Sequence, residues 1–140
     1  MILADTSAWV EYDRATGSAV DRRVAELIAV GDSLAVTQPV VMEVVAGARD
    51  RRRQDQLVSL LERFPLRRFD ADVDFAAAAR IYRQCRSVGI TPHGLIDCMV
   101  VAVAWRHDDA ILAADVDLDR VCGVMGVPLD PASLSDNVSE

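Results

Sequence analysis

The feature that most limits what this chain can become is its first apolar run. Ile2-Leu3-Ala4 is three apolar residues long and stops abruptly at Asp5-Thr6-Ser7. The same shape recurs late, where Ala110-Ile111-Leu112-Ala113 runs into Ala114-Asp115, and Leu34-Ala35-Val36 is a third such run. Short apolar runs without in-out alternation suit strands buried on both faces, and such strands belong to parallel sheets. Helical patterns separate them, so the order of elements predicts an α/β fold with a parallel sheet covered by helices on both sides.

The helices have legible ends. Ser18 suits the cap of a helix to about Val30, with Gly31 closing it. Thr37 and Pro39 open a helix ending near Gly47. An amphipathic helix spans Asp50 to Phe64 with Leu57, Leu60, Leu61 and Phe64 inward. Asp72 is expected to cap a helix to about Val88, and a nearly all-apolar helix runs from about Leu95 to Trp105. Asp117 is expected to cap a short helix that Gly123 and Gly126 break. Leu66 to Phe69 reads as an edge strand and Val127 as the start of a last one. Asp5 is expected to open a polar loop. At 140 residues this makes one domain, residues 1–132, with a polar, frayed tail at 133–140.

Composition excludes several functions. The net charge is −7, so no broad basic coat awaits nucleic acid, although a local patch remains open. The 15 basic residues are all Arg, as GC-rich coding or a preference for bidentate phosphate contact would produce. Cys85, Cys98 and Cys122 form no CxxC pair, which argues against zinc and against a disulfide framework. Trp9 suits core packing or a partner contact. No apolar run is long enough to span a membrane, and no leader-like segment is visible, which predicts a cytoplasmic protein without membrane contact.

Acidic residues then stand out. Asp5 and Asp115 follow strands, where sites form in open parallel sheets. Glu43 lies between Met42 and Val44-Val45, and Asp97 opens the apolar stretch from Ile96 to Ala104. Each has an ordinary alternative: an Asx turn for Asp5, an exposed helix position for Glu43, a first-turn acid for Asp97, a turn and cap for Asp115 and Asp117. Together they describe a pocket of carboxylates. Clustered carboxylates repel and need raised pKa values or a hard cation, and oxygen-only ligands suit Mg²⁺ or Mn²⁺. Such a site activates water against a phosphodiester. No phosphate-cradling glycine loop and no Gly-x-Ser-x-Gly elbow is present.

Four segments carry a family resemblance: Met1 to Trp9, Val41 to Gly47, Leu95-Ile96-Asp97-Cys98, and Ile111 to Asp117. They resemble the PIN domain and, more narrowly, the VapC toxins of bacterial VapBC toxin–antitoxin pairs. The resemblance implies a three-layer α/β/α domain with a central parallel sheet. It also implies Mg²⁺- or Mn²⁺-dependent cleavage of RNA of the tRNA or rRNA class, restraint by a VapB-type antitoxin, and homodimerisation. Asp5, Glu43, Asp97 and Asp115 match the family's acidic positions, and Asp117 a further acid. Thr6 and Ser7 match a hydroxyl pair beside the first acid, one of which holds it by hydrogen bonding. The chain departs from the pattern at Thr91-Pro92-His93-Gly94, where relatives carry Arg and Ser, and at Ala114 and Leu118. These departures leave room for a catalytically weak or inactive protein-binding module. A phosphoryl-transfer enzyme with Asp5 as nucleophile is a third reading, opposed by Ser7 two residues on and by the lack of Lys.

Arg49, Arg51, Arg52 and Arg53 form the densest basic run, suited to gripping RNA phosphate or to a solvated face balanced by Asp50 and Asp55. Arg67 and Arg68 read as protection of an edge strand. Arg80, Arg83 and Arg86 suit a solvent face or a dimer rim.

Overall fold

A computed structural model describes residues 1–133. The expected tail lies outside the described residues apart from Ser133, which is buried and whose hydroxyl accepts from the Ala113 N–H at 3.0 Å. Ser133 thus packs with the domain instead of fraying.

Three parallel strands form the centre: β1 (Ile2–Ala4), β2 (Leu34–Ala35) and β3 (Ala110–Leu112), in the order β2-β1-β3. Leu3 sits opposite Ala35 on one side and Ile111 on the other. Single parallel bridges extend the sheet at both edges, Val36 to Leu66 and Ile111 to Leu129. Leu3, Leu34, Ile111 and Leu112 have no exposed surface. Complete burial of such side chains stabilises by about 1.5–3 kcal/mol each.

Helices cover both faces. α1 (Thr6–Asp13), α2 (Ala19–Val30), α3 (Gln38–Ala46) and α4 (Arg51–Leu61) pack with one another, as do α5 (Asp74–Ser87), α6 (Leu95–His107) and α7 (Val116–Met125). The chain leaves β1 toward β2 and Leu66, then returns to β3 on the other side of β1. Right-handed crossovers place the first four helices on one face and the last three on the other. This is the expected three-layer α/β/α architecture. The order reverses between β1 and β3, and the loops after these strands diverge there to leave a crevice.

Several expectations are corrected. No polar loop follows β1: Asp5 caps α1 directly by accepting from the Ser7 N–H. The edge strand at Leu66 shrinks to one bridge, because its neighbour enters α3 just after Val36 and the Phe69 N–H donates to the Gln38 side chain at 2.6 Å instead; Arg67 makes a two-pronged ion pair with buried Asp109, at 2.8 and 3.0 Å. Asp72 does not cap α5. Asp74 in its first turn is buried and held instead by Arg106, at 2.7 and 3.0 Å. Burial pushes the Asp74 carboxyl up, but the Arg106 and Asp70 hydrogen bonds outweigh it and hold it below the usual range. Asp115, not Asp117, caps α7, which runs through Gly123 to a left-handed Gly126. Trp9 is core, packed between Tyr12 and Phe64. The three cysteines are free and buried, as expected of small apolar residues. Among the described residues no helix is long and apolar enough to cross a membrane.

Candidate active site

The crevice between β1 and β3 receives acids from four elements. Asp5 sits at the end of β1 and is 3% exposed. Its Oδ2 accepts from the Ser7 N–H at 3.1 Å and the Ser7 hydroxyl at 2.8 Å. Ser7 Oγ in turn accepts from the Ala114 N–H at 2.9 Å, so one hydroxyl ties the end of β1 to the turn after β3. Asp5 Oδ1 is buried with no partner. Burial pushes this carboxyl up, Ser7 and Thr6 oppose the rise, and Glu43 adds to it.

Glu43 comes from the middle of α3. Its Oε1 accepts from the Thr6 hydroxyl at 2.7 Å, which points the side chain across to the first acid. Asp97 lies in the first turn of α6 and is half-buried. Its carboxyl is pushed up to about 7, first by burial and then by the charges of Asp5, Asp115, Glu43 and Asp117. Glu43, Asp97 and Asp115 line one hollow of about 370 Å³ with His93 on its rim. Glu43, Asp97 and Asp115 thus share one hollow, and Asp5 lies close enough to add its charge to the rise at Asp97.

The later acids divide differently from expectation. Asp117 is buried, but its Oδ2 accepts from the His93 N–H at 2.7 Å. This carboxylate anchors the loop before α6. The His93 ring is 79% exposed, with Nδ1 3.6 Å from the same oxygen. Asp119 was not expected at all. Both its carboxylate oxygens are buried without a partner. Burial, then Asp115 and Asp5, pushes it up to about 6.

The donor set is oxygen only and its repulsion is uncompensated, with orphaned oxygens on Asp5 and Asp119. These residues fit a hard divalent cation. Among the described residues no three acidic, His or Cys side chains already enclose an ion position. The acids are gathered without being closed on a point.

The arginine run is sorted by its contacts. Arg53 pairs with Asp13 and donates to Gln56 at 3.0 Å. Arg51 lies 3.7 Å from Asp55 with both side chains exposed. Arg49 and Arg52 are exposed, as are Arg80, Arg83 and Arg86 along α5.

Comparison with known proteins gives the family and the fold. The family model of the PIN domain matches residues 2–124. Ribonuclease VapC11 of Mycobacterium tuberculosis is 40% identical over 125 residues, covering 89% of this chain and 93% of the relative. Two solved structures share the fold at low identity. The FitAcB structure from Neisseria gonorrhoeae superposes with a TM-score of 0.70 at 22% identity, over 94% of this chain and 98% of that one. The VapBC2 structure from Rickettsia felis, bound to a DNA fragment from its promoter, gives 0.67 at 18% identity, over 93% and 98%.

Proposed function

The chain belongs to the PIN domain family, and from that premise we propose that it is a Mg²⁺- or Mn²⁺-dependent endoribonuclease, the toxin of a toxin–antitoxin pair. The observation that carries the reading is the meeting of Asp5, Glu43, Asp97 and Asp115 at the sheet's switch point, with an oxygen of Asp5 left unpartnered. A divalent cation, when bound, supplies the charge that activates water and steadies the departing oxygen.

The chain's own groups prepare that chemistry. Ser7 fixes Asp5 with Oδ2 engaged and Oδ1 free, and Thr6 fixes Glu43. Asp5, Asp97, Asp115 and Glu43 are the proposed ligands and catalytic acids. Asp117 acts by holding the His93 loop beside them. The Asp97 carboxyl, pushed up to about 7 by burial and its acidic neighbours, would hold the cation in its ionised form. Arg49, Arg51, Arg52 and Arg53 are the proposed RNA-facing run. The RNA belongs to the tRNA or rRNA class, the restraining partner is a VapB-type antitoxin, and the working unit is a cytoplasmic homodimer.

Incubating the chain with total RNA tests this. Defined 5′ ends should appear with Mn²⁺ and vanish with EDTA or on Asp5→Asn. Cleavage that survives both treatments would overturn the reading. A second reading, a PIN-like protein-binding module without catalysis, is favoured by the absence of a closed ion position among the described residues. Calorimetric titration with Mn²⁺ separates the two, since the module binds none.

A further inference from the structure

RNA that reaches Asp97 and Asp115 must cross the field of a crowded acidic mouth, on a chain whose net charge is −7. Repulsion of that kind keeps a polyanion away unless its neighbouring phosphates are held elsewhere. The structure offers such a place. Three hollows run end to end from the carboxylates. The first, of about 370 Å³, includes Glu43 among its walls. Glu43 also bounds the second, a neck of about 70 Å³ whose far wall is Arg14 and Gly47. Arg14 and Gly47 in turn bound the third, of about 620 Å³, which opens between Arg49 and Arg53. Shared walls make these one furrow from the acids to an arginine corner.

Helix ends build that corner. Arg14 closes α1, Gly47 closes α3, and Arg53 lies in the first turn of α4. Gly47 presents no side chain to the wall that the neck and the corner share. Arg53 is committed to Asp13. Arg14 is exposed, and no hydrogen bond or ion pair among the described residues engages its guanidinium. Arg49 is 83% exposed and meets only Asp50, at 3.8 Å, a surface pair of little strength. Arg51 and Arg52 do not line the furrow. Arg14 and the weakly paired Arg49 therefore line the corner beside the Arg53–Asp13 ion pair, and guanidinium groups so placed suit bidentate contact to phosphate oxygens.

We infer that Arg14 and Arg49 bind phosphates of a single-stranded RNA segment flanking the scissile bond, against a wall fixed by Arg53. The inference rests on the ribonuclease reading for the identity of the polyanion.

The test is fluorescence anisotropy with a fluorescein-labelled RNA decamer, in Ca²⁺ buffer, its integrity checked on a gel. Arg14→Ala and Arg49→Ala should each weaken binding by roughly 3–10-fold at about 100 mM salt, and the double variant should lower the slope of log K against log salt by about 1.4. Arg14→Lys should keep most of the slope. Arg80→Ala removes the same charge from exposed α5 and should change nothing. Mn²⁺ titration should be unaltered in every variant. The furrow is refuted if the double variant binds RNA as the parent does, or if Arg80→Ala weakens binding equally. A parent chain that neither binds nor cleaves RNA brings down the ribonuclease reading, and the furrow with it. A parent that cleaves while the double variant binds and cleaves equally well brings down the furrow alone.

Discussion

Thr6 and Glu43 are joined across 37 residues by one hydrogen bond, from the Thr6 hydroxyl to Glu43 Oε1 at 2.7 Å. It links the start of α1 to the middle of α3 and fixes the orientation of an acid that nothing else in the described residues holds. Orienting groups of this kind typically contribute tenfold to a hundredfold in metal affinity or activity. Thr6→Val keeps the shape and deletes the donor. It should lower Mn²⁺ affinity by about tenfold or more, while the melting temperature stays near that of the parent. Thr6→Ser should restore the affinity. Titration calorimetry on the three chains reads this directly, and an unchanged affinity in Thr6→Val would show that Glu43 needs no positioning.

Ser7 carries a different load. Its hydroxyl donates to Asp5 and accepts from the Ala114 N–H, bridging the ends of β1 and β3. Ser7→Ala removes both bonds at once and leaves a part-buried N–H without a partner. Such losses cost about 1–3 kcal/mol, so chemical denaturation should show a destabilisation of that order. Mn²⁺ affinity should fall too, because Asp5 loses the contact that fixes its Oδ2. A variant as stable as the parent would mean that backbone pairing alone sets the spacing of the two strand ends.

Asp97 makes the metal-free protein sensitive to pH. Its folded carboxyl is raised from 3.8 to about 7, so the folded chain holds the proton more tightly than the unfolded chain. Stability from this group is therefore fully present below about 3.8 and is lost as pH rises toward 7. Asp5 and Asp119 are shifted in the same direction and add to the loss. Asp97→Asn removes the titration. In EDTA at pH 8 it should melt a few degrees higher than the parent, at about 3 °C per kcal/mol for a chain of this size. Near pH 4 the difference should close. With Mn²⁺ the parent should regain stability and the variant should not. A parent whose EDTA melting curve is flat between pH 4 and 8 contradicts the placement of these acids.

The fold was legible where apolar pattern and capping chemistry agree. Ser18 and Gly31 bound α2 as read, because both ends obey local rules. α1 was not legible: Asp5-Thr6-Ser7 after a strand looks like a turn, whereas Asp5 caps a helix there and Ala8 and Trp9 bury its inner face. Leu66 to Phe69 looked like a strand by composition, yet its neighbour turns into α3 after Val36 and leaves only one bridge to pair with. Asp5 and Asp115 stood out at strand ends and Asp97 at the start of an apolar helix, whereas Glu43 rested mostly on the family resemblance. The cap of α7 was placed on Asp117 instead of Asp115 because both are good caps, and sequence does not say which residue begins the helix.

Asp119 escaped notice although a signal was present. It lies four residues after Asp115 at the head of α7, and such pairs share a helix face, whereas Asp117, two residues on, points elsewhere. The structure agrees: Asp117 turns to the His93 N–H, and the raised Asp119 carboxyl feels Asp115 and Asp5. Asp117→Asn and Asp119→Asn should therefore behave in opposite ways without metal. Asp117→Asn exchanges a charged acceptor for a neutral one at the His93 N–H and should lower stability by about 1–2 kcal/mol. Asp119→Asn deletes an unpartnered buried charge beside two others, and should raise the melting temperature in EDTA at pH 8. If Asp119→Asn leaves that melting temperature unchanged, Asp119 stands outside the acidic cluster, and Asp5, Glu43, Asp97 and Asp115 make it up with Asp117 as their anchor.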